Sequence, residues 1–396
     1  MRLASLLPFA ALAATAAAQH VVTYDPAPAG TGLLFETQIL SPIAPGVLPP
    51  DPGYLIATPL PMVAPAAAPS GDATYDGLRN RIWYTNGQIL ASQGSPNFSF
   101  GGAALPPFPI APGVLAITAG PITGMALDPV ANILYVASGA GIVVGITPVP
   151  GTPVVVPPFP LPFLPAALSG MDYDSVTNTL FVCDVNGLVF NITLAGVPLA
   201  PPIGPMAMPG IAGDVCVDKT TQLNAAGLRP IYVCAGPAMR DVSTPIAPVR
   251  PNGGIAPTGL AFLGRAATQP GPSGTCGGIT PTYMTTAPMT TDNPGFGLRV
   301  KNLPPATFVI FAVDWAFNPA GLPVFGGSLL HLIPGSPGLL TFGAISTATG
   351  EADLPISLVG VPPGTGPLFT QAVWQCAAHP TGFAITELQS IQVAGH

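Results

Sequence analysis

A unit of about 45 residues recurs along this chain, and each copy opens on a glycine. The opening glycines are 53, 46, 43 and 46 residues apart, at Gly71, Gly124, Gly170, Gly213 and Gly259. The short run after the glycine ends in an aspartate in the first four copies, at Asp76, Asp128, Asp174 and Asp218, and Leu263 takes this place in the fifth. A period of this length is typical of architectures in which each repeat is one small sheet.

Each copy is predicted to contain three or four short β-strands. The run that ends in aspartate is followed by a turn and an aromatic strand, as in RIWYT, ILYVA, TLFVC and PIYVC, and then by a glycine turn and a further strand such as GIVVGIT. One such sheet cannot cover both of its own faces, whereas a ring of sheets around an axis lets each sheet cover the next. The repeat therefore predicts a β-propeller, with an open solenoid or an irregular set of hairpins as the alternative.

The composition decides between a folded and a disordered chain. Proline and glycine are abundant, with 54 Pro and 47 Gly among 396 residues, which on its own is typical of low-complexity sequence. However, 48% of the residues are hydrophobic and only 7% are charged, the opposite of a disordered chain. The prolines and glycines are spaced as turns between runs rich in Val, Ile, Leu, Phe and Thr, which predicts an all-β protein.

The second copy carries a resemblance to a known family. Gly124–Asp128 (GMALD) and Ile133–Ala137 (ILYVA) resemble the repeat of NHL-type and YVTN-type β-propellers, and the similarity covers roughly residues 20–270. The resemblance implies a propeller of five or six blades and indicates almost nothing about function. Six blades are expected if a degenerate N-terminal copy around Tyr24 forms a blade of its own. The motif IAPGVL occurs at 43–48 and at 110–115, and both copies are predicted to be outer strands.

The chain is predicted to divide into a propeller over residues 19–266, a linker over 267–278 and a β-sandwich over 279–396. The linker has the turn-forming composition ATQPGPSGTCGG. Beyond it the repeat ends, and seven strands are predicted, in FGLRVKNL, TFVIFAVDW, SLLHLIP, LLTFGAIS, ADLPISLVG, LFTQAVWQC and FAITELQSIQV. This segment is similar to a small C-terminal domain of many exported bacterial repeat proteins, through Cys276, DNPGFGLRV, GEADLPISL and PLFTQAVWQ, and that resemblance implies an accessory or sorting role.

Five cysteines leave the disulfide pattern open. Cys276 and Cys376 lie near the two ends of the last predicted domain and could join them. Cys183, Cys216 and Cys234 lie in one region of the repeat, where either a disulfide and one free thiol or three small buried side chains are expected.

The N-terminal residues and the charge bear on location and partners. Residues 1–18 have a single arginine, a short apolar run and a small-residue end, which predicts a cleaved signal peptide and an exported protein. No later apolar run is long enough for a membrane span. The net charge is −7 and the only lysines are Lys219 and Lys301, so no basic patch for nucleic acid is present. The expected partner is a surface, a protein or a glycan.

Signatures of catalysis are scarce in this sequence. None of the nucleophile, metalloprotease, phosphate-loop or dinucleotide motifs occurs. His331 alternates within SLLHLIP and is predicted to be a structural residue of the sandwich. The three tryptophans do not form the pattern expected of a quinoprotein. The recurrent aromatic residues occupy one position of the repeat and are predicted to pack between blades, at Trp83, Tyr84, Tyr135, Phe181 and Tyr232.

Three acids offer the one specific candidate site. Asp72, Asp172 and Asp214 hold similar positions before the turn aspartate, and carboxylates that converge on a propeller axis would suit Ca²⁺ or Mg²⁺. The alternative is that they are turn or solvated acids. The sequence therefore predicts an exported, non-catalytic binding or structural scaffold that needs no cofactor. The alternative function is a metal-dependent, lactonase-like hydrolase with a cation in the funnel.

Overall fold

The computed structural model of the chain describes residues 19–25, 33–39, 54–55, 71–79, 81–93, 105–205, 210–219, 228–236, 238–243, 250–251, 258–268, 277–279, 281–286, 289–291, 293, 295–324, 328–363, 365–366, 368–386 and 388–395. The predicted signal peptide, residues 1–18, lies outside this part of the chain. The described residues are almost all in strands and turns, as the all-β prediction requires.

The repeats fold into small antiparallel sheets, which we call blades. Blade 1 contains β1 (Gln19–Asp25), β2 (Leu33–Ile39) and β3 (Tyr54–Leu55). Blade 2 contains β4 (Asp72–Asp76), β5 (Arg81–Thr85), β6 (Ile89–Gln93) and β7 (Leu105–Pro109), and blade 3 contains β8 (Ile122–Asp128), β9 (Ile133–Ser138), β10 (Ile142–Ile146) and β11 (Val154–Pro160). Blade 4 contains β12 (Leu168–Asp174), β13 (Thr179–Asp184) and β14 (Val189–Ile192), and blade 5 contains β15 (Ala212–Val217), β16 (Ile231–Ala235), β17 (Ala238–Asp241) and β18 (Arg250–Pro251). In blade 4 an outer segment adds two isolated bridges, Val189 to Ile203 and Ile192 to Pro198.

Blade 1 is completed by a strand from the far end of the repeat region. β19 (Gly259–Thr268) pairs antiparallel with β1 and forms the inner strand of this blade. The N-terminal copy and the copy that opens at Gly259 are therefore two parts of one sheet. The described residues form five blades rather than six, and the ring is closed by strands from both ends of the repeat region.

The blades form a closed ring. The inner strands β4, β8, β12, β15 and β19 each contact the next, and β19 in turn contacts β4. Five hydrophobic clusters fill the five interfaces between neighbouring blades. The predicted inter-blade aromatics are buried in these clusters, as expected: Trp83, Tyr84, Tyr135, Phe181 and Tyr232. The architecture is a five-bladed β-propeller, because only a ring gives each blade two covered faces.

The second IAPGVL motif is not an outer strand. It enters a short helix, α1 (Pro112–Thr118), between β7 and β8. Pro112 stands at the first turn, where its missing N–H costs nothing, and Val114 and Thr118, four residues apart, are both buried. The first copy of the motif lies outside the described residues. The outer strands of blades 2 and 3 are instead the proline-rich segments LPPFP and VVVPPFP.

The C-terminal part contains ten strands in the described residues. They are β20 (Thr282–Thr285), β21 (Gly297–Lys301), β22 (Phe308–Asp314), β23 (Phe317–Val324), β24 (Ser328–Leu332), β25 (Leu340–Ile345), β26 (Ala352–Pro355), β27 (Leu368–Gln375), β28 (Phe383–Ile385) and β29 (Gln389–Gln392). All seven predicted strands are present, with the last divided into β28 and β29; β20 and β23 were not predicted.

Two sheets of this part enclose one core. β20, β21 and β26 form one sheet, and β25, β22, β27 and β29 follow one another in the other. Phe296, Leu298, Phe311 and Trp374 are among the core side chains that the two sheets bury. The β23–β24 hairpin covers a smaller cluster around Leu332 and Phe369.

The two parts of the molecule share a sheet. β19 pairs with β1 through residues 259–265 and with β29 through residues 265–268. The predicted linker thus begins inside a strand, and residues 269–276 lie outside the described part. Among the described residues, no helix has the length and apolarity needed to cross a membrane.

Candidate functional site

The three predicted acids lie on inner strands, next to the propeller axis. Asp72 begins β4, Asp172 lies in β12 and Asp214 lies in β15, and all three side chains are buried. Asp72 and Asp214 are strictly equivalent, because each follows the opening glycine of its copy. Blades 1, 3 and 4 have Leu260, Met125 and Met171 at that position.

Asp72 and Asp214 make the same backbone contacts. The Oδ1 atom of Asp72 accepts a hydrogen bond of 2.6 Å from the N–H of Ala73, and its Oδ2 accepts one from the N–H of Met125 in blade 3. The Oδ1 atom of Asp214 accepts from Val215 at 2.6 Å, and its Oδ2 accepts from Leu260 in blade 1 at 2.5 Å. Each carboxyl therefore joins its own inner strand to that of the next blade.

The environment of both carboxyls favours the neutral form. Burial raises the pKa of Asp72 and of Asp214 well above the usual value, and the negative charge of Asp72 raises that of Asp214 further.

Asp172 has a different environment. Its Oδ1 atom lies 3.0 Å from the Nζ atom of the buried Lys219, and its Oδ2 accepts a 2.9 Å bond from the N–H of Val217 in blade 5. Burial raises the pKa of Asp172, and the Lys219 ammonium partly offsets this rise. Lys219 was not predicted as a site residue. A lysine directly after the turn aspartate of an otherwise apolar repeat was the signal available for it.

The candidate cation site consists of acids that already have other partners. Asp72 and Asp214 accept hydrogen bonds from backbone N–H groups, and Asp172 accepts one and is paired with Lys219. Within the described residues, no three or more His, Cys, Asp or Glu side chains are placed to hold a metal ion together. A Ca²⁺ or Mg²⁺ site remains a prediction.

Glycines make this close packing possible. A Cβ atom on Gly170 would lie 2.0 Å from Oδ1 of Asp214, and one on Gly259 would lie 2.5 Å from the backbone nitrogen of Ala73. A Cβ on Gly124 would lie 2.8 Å from the side chain of Leu168. The opening glycines therefore allow neighbouring inner strands to approach closely near the axis at these three positions.

The turn aspartates have a structural role. Oδ1 of Asp128 accepts from the N–H groups of Val130 and Ala131, and Oδ1 of Asp174 accepts from that of Val176. Asn132 and Asn178 end these turns with φ of 55° and 56°, a left-handed conformation that asparagine tolerates. Asp174 is also paired at 2.8 Å with Arg229 of blade 5, which the sequence did not indicate.

The described cysteines give a partial answer on disulfides. In the described part of the chain, Cys183, Cys216 and Cys234 form no disulfide; they are buried in the clusters between blades, so they are small core side chains. Burial raises the pKa of the Cys234 thiol to about 12, which keeps it protonated. Cys376 is in a disulfide, and Cys276 lies outside the described residues.

Comparison with known proteins yields little. No protein family matches the chain, and no curated protein matches it. Among solved structures, the chain is similar to the WD40 β-propeller domain of Doa1, at 6% sequence identity over 81% of this chain and 91% of that chain, with a TM-score of 0.28. At that TM-score the likeness carries no weight, and the propeller assignment depends on the closed ring of inner strands and the five clusters between blades.

Proposed function

We propose that this protein is an exported, non-catalytic binding or structural scaffold with a propeller of the NHL/YVTN type. One observation carries the proposal: the axial acids are used to hold blades together. Asp72, Asp172 and Asp214 each accept a hydrogen bond from the backbone of a neighbouring blade. An acid so placed stabilises the ring and is poorly available to a substrate.

Export is supported by the N-terminal residues and by the disulfide at Cys376. Residues 1–18 have the composition of a cleaved leader, and structural disulfides persist in oxidising compartments. The low charge of the chain fits a protein that contacts its partner through shape, apolar side chains and backbone groups rather than through charge.

The outer strand β11 of blade 3 and the outer segments of blades 3 and 4 are the binding surface that we favour. They expose Val149, Val154, Val155, Val197 and Leu199, each between 40% and 57% accessible. Patches of exposed apolar side chains mark interaction sites. A partner bound there would be a protein, a glycan or a surface with little charge.

The proposal is tested by cosedimentation with envelopes of the producing cells at low and at high salt. We expect binding at both, because an apolar contact is not screened. Serine at Val154, Val155, Val197 and Leu199 should abolish it. The matched control is Val359→Ser, which removes a 71% exposed valine from the C-terminal part.

The enzymatic alternative is tested on the same preparation. We expect less than one equivalent of bound Ca²⁺ or Mg²⁺, an unfolding temperature unchanged by a chelator, and no hydrolysis of lactones above the buffer rate. A stoichiometric divalent ion together with chelator-sensitive lactone hydrolysis would overturn the scaffold proposal.

A further inference from the structure

The larger sheet of the C-terminal part ends in an open edge at β25. This strand is the last one in the order of its sheet, and it pairs with β22 on one side. In the part of the chain that the structure describes, no strand pairs with the other side of β25, and β26, which follows it, belongs to the opposite sheet. Five of the six residues of β25 are exposed, so this edge is accessible among the described residues.

The sequence of β25 lacks the features that protect an outermost strand. The outermost strands β7 and β11 contain three prolines each, whereas LTFGAI contains neither a proline nor a charged residue. Leu340, Phe342 and Ile345 are 56%, 41% and 66% exposed. An apolar edge strand with unpaired backbone groups is a template for pairing with another strand.

The pairing with β22 determines which backbone groups of β25 point outward. The N–H of Ser346, directly after β25, donates to the carbonyl of Thr307 and so points toward β22. In an antiparallel pair, residues that exchange backbone hydrogen bonds with the neighbouring strand alternate with residues that do not. Because the register of β25 with β22 has no bulge, the N–H and C=O groups of Thr341, Gly343 and Ile345 point away from β22.

We infer that β25 binds the β25 strand of a second copy of this chain, antiparallel and with Gly343 opposite Gly343 at a two-fold axis. This register places Thr341 of each copy opposite Ile345 of the other. All three outward residues then exchange backbone hydrogen bonds with the second copy, and the two C-terminal sheets become one continuous sheet. A two-fold pair uses the free edge of both copies, so association stops at the dimer.

The geometry of a two-fold strand pair favours this register. Side chains directly opposite each other in an antiparallel pair lie on the same face of the sheet, so the axis must pass through a residue rather than between two residues. An axis at Gly343 engages all three outward residues of β25. An axis at Phe342 would engage only Thr341 and Gly343.

The side chains on both faces of β25 fit the same register. On the face away from the sandwich core, the ring of Phe308 lies over Gly343, where a Cβ atom would be 3.2 Å from the ring. An axis at Gly343 brings the two Phe308 rings together above the central glycines, with Ile345 beside them. On the other face, the large Phe342 lies opposite the small Ala344 of the second copy. The apolar area that these contacts remove from water stabilises the pair.

The distribution of charge favours a second copy as the occupant of this edge. A two-fold axis brings identical residues close together, so a charged residue near the axis would repel its own copy. Residues 315–350 contain no Asp, Glu, Lys or Arg. The charged side chains that follow in space and sequence belong to the opposite sheet or its approach, where they pair with one another: Arg299, Lys301, Glu351 and Asp353.

The test is sedimentation equilibrium of the full chain from about 1 µM to about 1 mM, the range in which small interfaces associate. We expect the wild type to form a dimer and no larger species. Thr341→Lys combined with Ile345→Lys should be monomeric, because each lysine would lie opposite a lysine of the second copy. Thr341→Lys combined with Ile345→Asp is the matched control, since it places opposite charges at the same paired positions. It should dimerise at least about tenfold more tightly than the double-lysine variant.

Cross-linking tests the register independently of charge. Thr341→Cys combined with Ile345→Cys should form disulfide-linked dimers under mild oxidation, because paired positions lie about 5.5 Å apart between Cα atoms, within reach of a disulfide. Thr341→Cys alone should not, because this register separates the two copies of position 341 by about 13 Å along the strands.

Three results would overturn the inference. They are a wild type that is monomeric at every concentration, equal dimerisation of the two charged variants, and cross-linking of the single-cysteine variant as efficient as that of the double. A monomeric wild type that cosediments with vesicles of neutral phosphatidylcholine would show that the edge contacts lipid instead of a second copy.

Discussion

At the scale of single residues, glycines let the inner strands of this propeller pack closely around the axis. The opening glycines bring neighbouring inner strands so close that a carboxyl oxygen of Asp214 lies over the Cα atom of Gly170. A larger side chain at position 170 would overlap the Asp214 carboxyl and its Cα atom. Glycine at position 170 is thus required by the Asp214 side chain as well as by the backbone.

The first prediction concerns Gly170→Ala. Its new Cβ would lie 2.0 Å from Oδ1 and 2.5 Å from Cα of Asp214, and the second of these atoms is backbone that cannot rotate away. Overpacking of this kind costs about 1–3 kcal/mol, and we expect a loss of at least the upper value in the free energy of unfolding, measured by urea denaturation.

Its matched control is Gly113→Ala in α1, where a Cβ meets nothing within 4 Å. Alanine is the better helix former, so this variant should gain about 0.5–1 kcal/mol. If Gly170→Ala were as stable as the wild type, the close packing at the axis would be wrong.

At the scale of elements, the outermost strands explain the high proline content of the chain. The outermost strands β7 and β11 contain three prolines each, in LPPFP and VVVPPFP. An outermost strand exposes unpaired backbone N–H groups that can pair with another molecule, and proline removes them. The proline-rich segments between repeats are therefore protected blade edges.

The prediction at this scale is that Pro157→Val and Pro158→Val together restore an open edge on β11. We expect folding to be retained and association to become concentration-dependent, detected by light scattering over hours at rising protein concentration. Pro150→Val, in the turn before β11, removes a proline without opening an edge and should stay monodisperse. Equal behaviour of the two variants would contradict edge protection.

Some elements of this fold could be predicted from the sequence, and others could not. The glycine spacing and the turn aspartates predicted the blades, because both features act within one repeat. The number of blades required knowing that β1 and β19 pair, which no local pattern specifies. The helix at Pro112 was not predicted because the motif IAPGVL is compatible with a strand or a helix. The buried face of this helix depends on contacts with blade 3. The contacts of Asp72 with Met125, of Asp214 with Leu260 and of Asp172 with Lys219 join residues far apart in sequence, so only the closed ring reveals them.

At the scale of the whole molecule, the propeller and the C-terminal part are joined by more than a covalent connection. β19 continues from blade 1 into pairing with β29. Beyond β29, Ala394 is fully buried in the cluster between blades 5 and 1, with Cys216, Leu260 and Phe262, and the N–H of Gly395 donates to the carbonyl of Lys219 at 2.5 Å. The last residues of the described chain thus complete an inter-blade core.

We therefore expect the two parts to unfold together, in a single calorimetric transition, and Ala394→Asp to separate them. An aspartate there would bury an unpaired carboxylate beside Phe262, so the chain end would leave the cluster and expose blade 1. The propeller should then unfold at lower temperature than the C-terminal part, whose core around Phe311 and Trp374 does not include Ala394. Ala377→Asp, on an exposed turn near Cys376, should leave the single transition intact. Two transitions in the wild type would show instead that the shared strand does not couple the two parts, and blade 1 would then depend on its own strand pairing and on the inter-blade clusters.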